Sequence, residues 1–269
     1  MEIPAYNKGF YDGHAAEVLH SARAVAPILV EMLHPSSVVD IGCGTGLWLE
    51  AFRECGVQDI LGVDNRWIRP EQLQIASERF LARDLDQPFS LDREFDLVVC
   101  LEVAEHLAPS AAGTLIDSLV ALGPVILFSA AVPLQGGVHH INEQWPEYWA
   151  ELFRSHGYRP VDCLRSRLWG RNDVAWWYAQ NALLYVRADK VQSMGFTTEQ
   201  QVVMESFGVR RELYLKIAQK YMTLQQVQRN PSLRSLLAAL PFALVRFARN
   251  RVRAARELVR RLTYHHPTV

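Results

Sequence analysis

The sequence lacks the features of several common protein classes. No apolar run reaches the roughly 18 residues that a membrane span needs, and the N-terminus has no basic region followed by an apolar one, as a secretory signal would. The four cysteines are scattered and make neither a disulfide framework nor a zinc spacing. These absences favour a cytoplasmic protein with reduced thiols.

Positive charge is also scarce over most of the chain. Residues 230–262 contain eight arginines against one acid, which leaves 20 basic and 28 acidic residues for the remainder. An acidic body with a basic tail has two different surfaces. The body is poorly suited to a polyanion, because phosphate contacts need basic side chains, so nucleic acid is an unlikely partner.

Residues 38–46, with the sequence Val-Val-Asp-Ile-Gly-Cys-Gly-Thr-Gly, predict a buried strand that ends in a tight glycine turn. A helix follows over 47–55, and its free N–H groups face a ligand. The glycine spacing differs from the G-x-G-x-x-G of dinucleotide sites. Asp40 would repel a pyrophosphate and suits a cationic amino-acid group instead. We therefore expect a nucleotide-like ligand with a positive charge.

Two further acids follow strands. A second strand, 58–64, ends at Asp64, where a carboxylate can accept hydrogen bonds from both hydroxyls of a ribose. Asn65 is adjacent. A third strand, 80–85, carries Asp84 and Leu85 at its exit, and a fourth, 95–100, is nearly all apolar, as a central parallel strand should be.

The rest of the pattern alternates helices and strands and then closes with two strands. We predict helices over 13–33, about 70–77, 109–122, 146–156 and, by composition, 197–229, and strands over 124–129, 159–165 and 181–187. An aromatic loop separates the last two strands, and Trp177 and Tyr178 are expected to alternate across a strand there.

A second group of polar residues follows the fourth strand. Glu102, Glu105 and His106 form an E-x-x-E-H pattern, which brings the three side chains to one face if the chain turns helically. His140, after the fifth strand, is a natural fourth member. Oxygen ligands with imidazole suit Mg²⁺, Mn²⁺ or Fe²⁺. Three alternatives stay open: metal ligation, a histidine base without metal, and a structural or substrate-binding role.

The sequence Asp-Ile-Gly-Cys-Gly-Thr-Gly at 40–46 resembles motif I of the class I S-adenosylmethionine-dependent methyltransferases. The resemblance covers about residues 1–187 and implies a Rossmann-like α/β fold, with a seven-stranded, mostly parallel sheet flanked by helices. It implies that Asp40 and the glycine turn bind the amino-acid half of the cofactor, Asp64 the ribose and Asp84 the adenine. The cofactor residues it implies are Tyr11, Asp40, Gly42, Cys43, Gly44, Gly46, Asp64, Asn65, Asp84, Leu85 and Leu101.

The E-x-x-E-H pattern is similar to motifs of two O-methyltransferase groups, the ubiquinone-biosynthesis enzymes and the small-RNA 2′-O-methyltransferases. In the latter, a further histidine after strand five completes a metal site, and His140 would correspond to it. The segments His-x-Asn-Glu-Gln-Trp-Pro at 140–146 and Trp-Trp-Tyr-x-Gln-Asn at 176–181 resemble a bacterial subset that is associated with glycans or other secondary metabolites. Gln180 and Asn181 are the polar candidates of the second segment.

The domain prediction is a methyltransferase domain over 1–187 and a helical extension over 188–269. Beyond Asn230-Pro231-Ser232, apolar and arginine stripes run side by side over 232–262, which indicates a basic amphipathic helix. Such a helix can lie at the inner membrane face, or it can associate with a second copy of the chain or with the acidic body. Nucleic-acid binding is the least favoured alternative, because the tail has few aromatic residues.

The sequence thus predicts an O-methyltransferase for a hydroxyl of a sugar, a glycan or a small metabolite. His106, His140 and Glu105 are the predicted catalytic residues, and Glu102, Glu105, His106 and His140 the predicted metal ligands. An RNA 2′-O-methyltransferase is the rival enzyme. A non-catalytic S-adenosylmethionine-binding module, docked to a partner through its tail, is the alternative of another class.

Overall fold

The structure is a computed structural model that describes the backbone of residues 8–197, 200 and 211–229, with side chains for 15–197, 200 and 214–225. Seven strands form one sheet: Ser37–Ile41 (β1), Asp59–Asp64 (β2), Phe80–Ala82 (β3), Leu97–Leu101 (β4), Val125–Ser129 (β5), Tyr158–Val161 (β6) and Leu183–Arg187 (β7).

The described residues of the unit that holds the strands form the α-helices Lys8–Leu33 (α1), Leu47–Glu54 (α2), Ala112–Val120 (α3), Pro146–Ser155 (α4), Arg165–Leu168 (α5), Trp176–Asn181 (α6) and Ala188–Val191 (α7). A further helix, Arg211–Arg229 (α8), lies in the second unit. Short 3₁₀ turns lie at Pro70–Gln72, Ser77–Arg79, Ala104–His106 and Pro109–Ala111. Within the described part of the chain, no helix combines the length and the apolar character that a bilayer-spanning segment requires.

The strands lie in the order β3-β2-β1-β4-β5-β7-β6. All neighbours are parallel except β7, which runs antiparallel to both β5 and β6. The predicted seven-stranded, mostly parallel, Rossmann-like sheet is therefore confirmed. The order reverses between β1 and β4, and ligands of open α/β sheets bind outside the carboxyl ends of the strands at such a point.

Two apolar cores cover the faces of the sheet, because successive residues of a strand point to opposite sides. On one face, Val38, Leu97 and Val99 pack with α1, α2 and α6. On the other, Val98 and Ile126 pack with α3 and α4. Every residue of β4 and β5 is buried. This packing holds in place the two strands that lead to the site.

Most predicted helices and strands are present, with ends that differ by a few residues. Two segments have a different secondary structure from the predicted one. The predicted helix at 70–77 is two separate 3₁₀ turns. The segment between the turns does not continue the helix, because the Gln74 amide donates to the carbonyl of Thr45 and Ile75 packs against Gly46 and Gly62.

The predicted strand at Trp177 and Tyr178 is the helix α6. The amides of Tyr178 and Ala179 both donate to the carbonyl of Ala175, and the pairing of β7 with β5 begins only at Leu183. A helix was also predicted over 197–229. Residue 197 is not helical, and the helix that the structure describes in this range is α8, which begins at Arg211.

The chain divides into two compact units, Met1–Gly208 and Val209–Val269. In the first unit, Val191 and Phe196 are buried in the core, so residues past 187 contribute to its packing. The predicted boundary at 187/188 stays a prediction. The predicted amphipathic tail at 232–262 lies outside the described residues, as does the side chain of Tyr11.

Candidate active site

The glycine turn leaves β1 at the switch point of the sheet. Gly42, Gly44 and Gly46 have φ angles of +79°, +54° and +87°, which L side chains rarely adopt. A Cβ on Gly42 would lie 2.3 Å from Cγ2 of Val103, whereas a Cβ on Gly44 would meet nothing within 4 Å. One side of the turn is therefore packed against the protein, and the other is open for a ligand.

Two carboxylates, one buried and one half-buried, flank this turn. Asp40 is 3% exposed, and burial, followed by the charge of Asp64, raises its pKa well above the ordinary value. Asp64 accepts hydrogen bonds from the amides of Gly44 at 2.6 Å and Asn65 at 2.5 Å, and burial raises its pKa. Two acids desolvated side by side favour a cationic ligand, because positive charge nearby stabilises their ionised form.

The other predicted cofactor residues occupy the same edge of the sheet with different exposure. Cys43, Leu85 and Leu101 are buried, and Asn65 is half-buried. Asp84 lies two residues past β3 and is exposed, and its carboxylate accepts a hydrogen bond from the amide of Asp86 at 3.1 Å.

The E-x-x-E-H residues form a turn directly beyond β4. Glu102 has a φ of +54°, so the chain leaves the strand through a left-handed residue and then makes the 3₁₀ turn Ala104–His106 instead of an α-helix. Glu105 is fully buried, and its Oε1 accepts a hydrogen bond from the amide of Ala131 at 3.2 Å. No N–H of the described residues donates to its Oε2, but the carboxyl groups of Glu102 and Glu105 hydrogen-bond to each other when one of them is protonated.

Three predicted metal ligands converge. Glu105, His106 and His140 each offer a ligating atom, and these atoms lie within 4.8 Å of one another. The two imidazole rings meet edge to face, with centroids 4.8 Å apart. Glu102 is not a member of this group. Its carboxylate instead accepts hydrogen bonds from Asn181 at 3.2 Å and Gln135 at 3.1 Å.

Burial shapes the charges of this cluster. Burial, together with the charge of Glu102, raises the pKa of Glu105 well above its ordinary value, and burial also raises the pKa of Glu102. Burial first, and then the charge of His140, lowers the pKa of His106 to about 4. His106 is therefore neutral at physiological pH and can act as a ligand or as a proton acceptor.

The depressed pKa of His106 predicts a pH-dependent stability. Between pH 6.5 and about 4, the unfolded chain binds a proton at this imidazole and the folded protein does not, so stability falls as pH decreases. From pH 7.5 to 5, we expect metal-free natural protein to lose about 1–2 kcal/mol more than a His106→Gln variant does. Urea unfolding of both proteins at the two pH values measures this. Equal losses would contradict it.

Sequence reasoning missed two residues of the site, Gln135 and Glu143. Glu143 accepts hydrogen bonds from the amides of Leu134 and Gly136 and contacts the imidazole of His140. The H-x-N-E-Q run contains it, three residues after His140. That spacing was available as a signal, but the loop is neither helical nor extended, so no periodicity indicated which residues face His140.

The chain resembles solved structures in its fold. DesVI of Streptomyces venezuelae is 17% identical, with a TM-score of 0.52 over 70% of this chain and 99% of that one. CalS10, an amino pentose methyltransferase of Micromonospora echinaspora, is 15% identical, with a TM-score of 0.47 over 70% and 100%. The sugar N-methyltransferase KedS8 of Streptoalloteichus is 18% identical, with a TM-score of 0.48 over 66% and 91%. No curated protein sequence matches the chain.

The sheet order, the glycine turn after β1, Asp40 near the end of β1 and Asp64 at the end of β2 define a class I methyltransferase fold. A family model described as a methyltransferase domain matches residues 14–172, more than half of the chain. The chain belongs to this family and is a class I S-adenosylmethionine-dependent methyltransferase. Its site fits the cofactor, because Asp40 offers a buried carboxylate two residues before the glycine turn, and S-adenosylmethionine carries an ammonium and a sulfonium.

Proposed function

We propose that the methyl acceptor is a hydroxyl of a sugar, a glycan or another small metabolite, and that a divalent metal held by Glu105, His106 and His140 assists the transfer. The observation that carries this proposal is the convergence of three ligating atoms within 4.8 Å. They lie beyond β4 and β5, at the edge of the sheet where ligands of such folds bind.

The chemistry of the three side chains fits a metal ion. Glu105 is buried, no described N–H donates to its Oε2, and its carboxyl group shares a proton with that of Glu102. The low pKa of His106 keeps its imidazole neutral for ligation. One carboxylate and two imidazoles suit Mn²⁺ or Fe²⁺ better than Mg²⁺, which prefers oxygen ligands. Three protein ligands leave coordination positions for oxygens of the acceptor.

The E-x-x-E-H turn and the glycine turn touch each other. Val103 belongs to the E-x-x-E-H turn, and its side chain occupies the space where a Cβ of Gly42 would be. The backbone that binds the methyl donor is thus in van der Waals contact with the turn that would bind the acceptor. This closeness supports direct transfer, because the acceptor oxygen must approach the methyl group in line with the leaving sulfur.

Different residues would bind the methyl donor and the methyl acceptor. Asp40, Asp64 and the glycine turn fix the methyl donor. Glu105, His106 and His140 would hold the metal that orients the acceptor hydroxyl, and the hydroxyl proton would pass to solvent. Without metal, a neutral imidazole of His106 or His140 would take that proton. When bound, the metal supplies Lewis-acid activation that lowers the pKa of the hydroxyl. Alignment of donor and acceptor supplies much of the remaining rate.

The surroundings favour a neutral, hydroxyl-rich acceptor. Four acids lie at this edge of the sheet, with Asp40 and Glu105 buried and Asp64 and Glu102 half-buried. Carboxyl groups, charged or neutral, do not supply the basic contacts that a phosphate-rich acceptor such as RNA needs. The helix α6 places Asn181 on Glu102. Trp176, at the start of the same helix, is 56% exposed, and an exposed indole face stacks well on a sugar ring.

A metal-removal assay tests this proposal. Purified protein, treated with EDTA, is given S-adenosylmethionine and a panel of sugars and small hydroxylated metabolites, and S-adenosylhomocysteine is measured with and without Mg²⁺, Mn²⁺ or Fe²⁺. We expect turnover on at least one hydroxylated acceptor that EDTA abolishes and Mn²⁺ or Fe²⁺ restores, because the metal activates the hydroxyl.

The outcomes separate the alternatives. Full turnover in EDTA would contradict the metal and favour a histidine base. Thermal stabilisation by S-adenosylmethionine without turnover on any acceptor would favour a binding module. Activity only on RNA would contradict the acceptor class.

A further inference from the structure

The proposed function assigns no role to Glu143, although its carboxylate lies at the centre of the loop that carries His140. Its Oε2 accepts a hydrogen bond from the amide of Leu134 at 2.7 Å. Its Oε1 accepts one from the amide of Gly136 at 2.9 Å and lies 3.1 Å from Nδ1 of His140. The carboxylate is mostly buried, with 18% of the Glu143 side chain exposed and 12% of the His140 side chain.

We infer that Glu143 is a positioning residue, which fixes the tautomer and the orientation of His140 and so presents Nε2 to the metal or to the acceptor hydroxyl. This inference rests on the role that the proposed function gives to His140. An ionised carboxylate can only accept hydrogen bonds. Nδ1 of a neutral His140 must therefore carry the proton, which leaves the lone pair on Nε2.

Gly137 packs on the His140 ring without covering that lone pair. A Cβ on Gly137 would lie 2.1 Å from Nε2, 2.3 Å from Cε1 and 2.6 Å from Cδ2 of His140. A Cβ in line with the lone pair would be much farther from the two carbons than from Nε2. The nearly equal distances place Gly137 over the face of the ring, so glycine at 137 supports the imidazole without blocking Nε2.

The same loop is hydrogen-bonded to Glu105, another of the proposed metal ligands. The amides of Ile141 and Asn142 donate to the carbonyl of Glu105 at 2.9 and 3.0 Å. Leu134 and His139 have φ angles of +68° and +58°, a strained conformation for residues other than glycine. The carboxylate of Glu143 accepts a hydrogen bond from the amide of Leu134 and contacts the side chain of His140, which follows His139. It therefore holds the loop in the conformation that brings His140 to Glu105 and His106.

The first test determines the tautomer of His140 in the natural protein without metal. Long-range ¹H–¹⁵N correlation spectra of ¹⁵N-histidine-labelled protein distinguish a protonated from an unprotonated ring nitrogen, and a His140→Gln variant assigns the signals. We expect Nδ1 to carry the proton in neutral His140. A proton on Nε2 would overturn the inference, and this result does not depend on any variant at 143.

The second test compares Glu143→Gln with a control, Glu151→Gln. This control removes the same charge from the exposed surface of α4, where Glu151 pairs with Arg154. A glutamine has one accepting atom at its end, so at least one of the three N–H donors at 143 loses its acceptor. We expect Mn²⁺ affinity, measured by electron paramagnetic resonance, to fall roughly 10–100-fold in Glu143→Gln, as for other residues that orient metal-bound histidines, and the His140 signals to indicate mixed tautomers. The control should match the natural protein.

Thermal stabilisation by S-adenosylmethionine checks that the Glu143→Gln variant is folded. Unchanged tautomer and unchanged Mn²⁺ affinity in that variant would overturn the inference and leave Glu143 as a loop contact only. If the natural protein binds no Mn²⁺, the metal part of the proposed function fails. A tautomer change in Glu143→Gln would then still support the positioning role, so the two failures are distinguishable.

Discussion

An Asp64→Asn variant is expected to bind S-adenosylmethionine about 100-fold more weakly than the natural protein, since two hydrogen bonds to a charged acceptor are worth about 1.5–3 kcal/mol each. Asp64 ends β2, and its carboxylate already accepts the amides of Gly44 and Asn65. The remaining acceptor capacity of its two oxygens suits the two ribose hydroxyls. An asparagine offers one accepting oxygen without charge. Isothermal titration calorimetry with S-adenosylmethionine measures the loss.

The matched control for this variant is Asp59→Asn. Asp59 begins the same strand at its opposite end, and its half-exposed carboxylate pairs with Arg93 at 2.7 Å, a surface ion pair of little energetic weight. Its replacement should leave cofactor affinity unchanged. Because the amides of Gly44 and Asn65 donate to different oxygens of Asp64, one of them loses its acceptor in Asp64→Asn, and circular dichroism of the ligand-free variant checks that it is folded. Equal affinities for the two variants would contradict the ribose role.

The fold was predictable because its signals are local or strictly periodic. The apolar runs that became β4 and β5 and the three glycines after β1 each determine their own backbone conformation. The class of ligand followed from Asp40 and Asp64, since parallel strands bring their carboxyl ends to one edge of the sheet. These statements need only the order of elements along the chain.

The wrong predictions involve contacts between distant segments. Residues 70–77 were predicted as one helix because their composition permits it, yet a hydrogen bond to Thr45 separates the two turns. Trp177 and Tyr178 carry β-favouring side chains, but they form α6, where Tyr178 packs edge to face on Trp48. Packing overrode local preference in both cases.

The chemistry of the acceptor side was only partly predictable for a similar reason. The E-x-x-E-H spacing suggested that Glu102, Glu105 and His106 share a helical face, but the left-handed conformation of Glu102 changes the path of the chain. Its carboxylate then meets Asn181 and Gln135, which are far away in sequence. The convergence of His140 with Glu105 depends on hydrogen bonds to the carbonyl of Glu105, and no sequence pattern states such contacts.

The turn beyond β4 predicts the largest effect on turnover. In a Glu105→Gln variant, the amide oxygen can still accept the hydrogen bond from Ala131, so the fold should be kept, but the amide nitrogen at the position of Oε2 cannot ligate a metal. Orienting residues alone cost about 10–100-fold, and a missing ligand should cost more. We expect methyl transfer to fall at least about 100-fold, while the affinity for S-adenosylmethionine stays the same. Single-turnover formation of S-adenosylhomocysteine on the responsive acceptor measures the first quantity, and calorimetry the second.

The neighbouring acid of the same pattern gives the sharpest comparison. Glu102 lies outside the cluster of ligating atoms, and its carboxylate orders Asn181 and Gln135 beside it. A Glu102→Gln variant should therefore lose less activity than Glu105→Gln, and its dependence on added Mn²⁺ should stay close to that of the natural protein, because the three ligating atoms are retained. In Glu105→Gln, the Mn²⁺ concentration for half-maximal activity should rise. If the Mn²⁺ concentration for half-maximal activity rises equally in the two variants, both acids are ligands and the three-ligand arrangement is wrong.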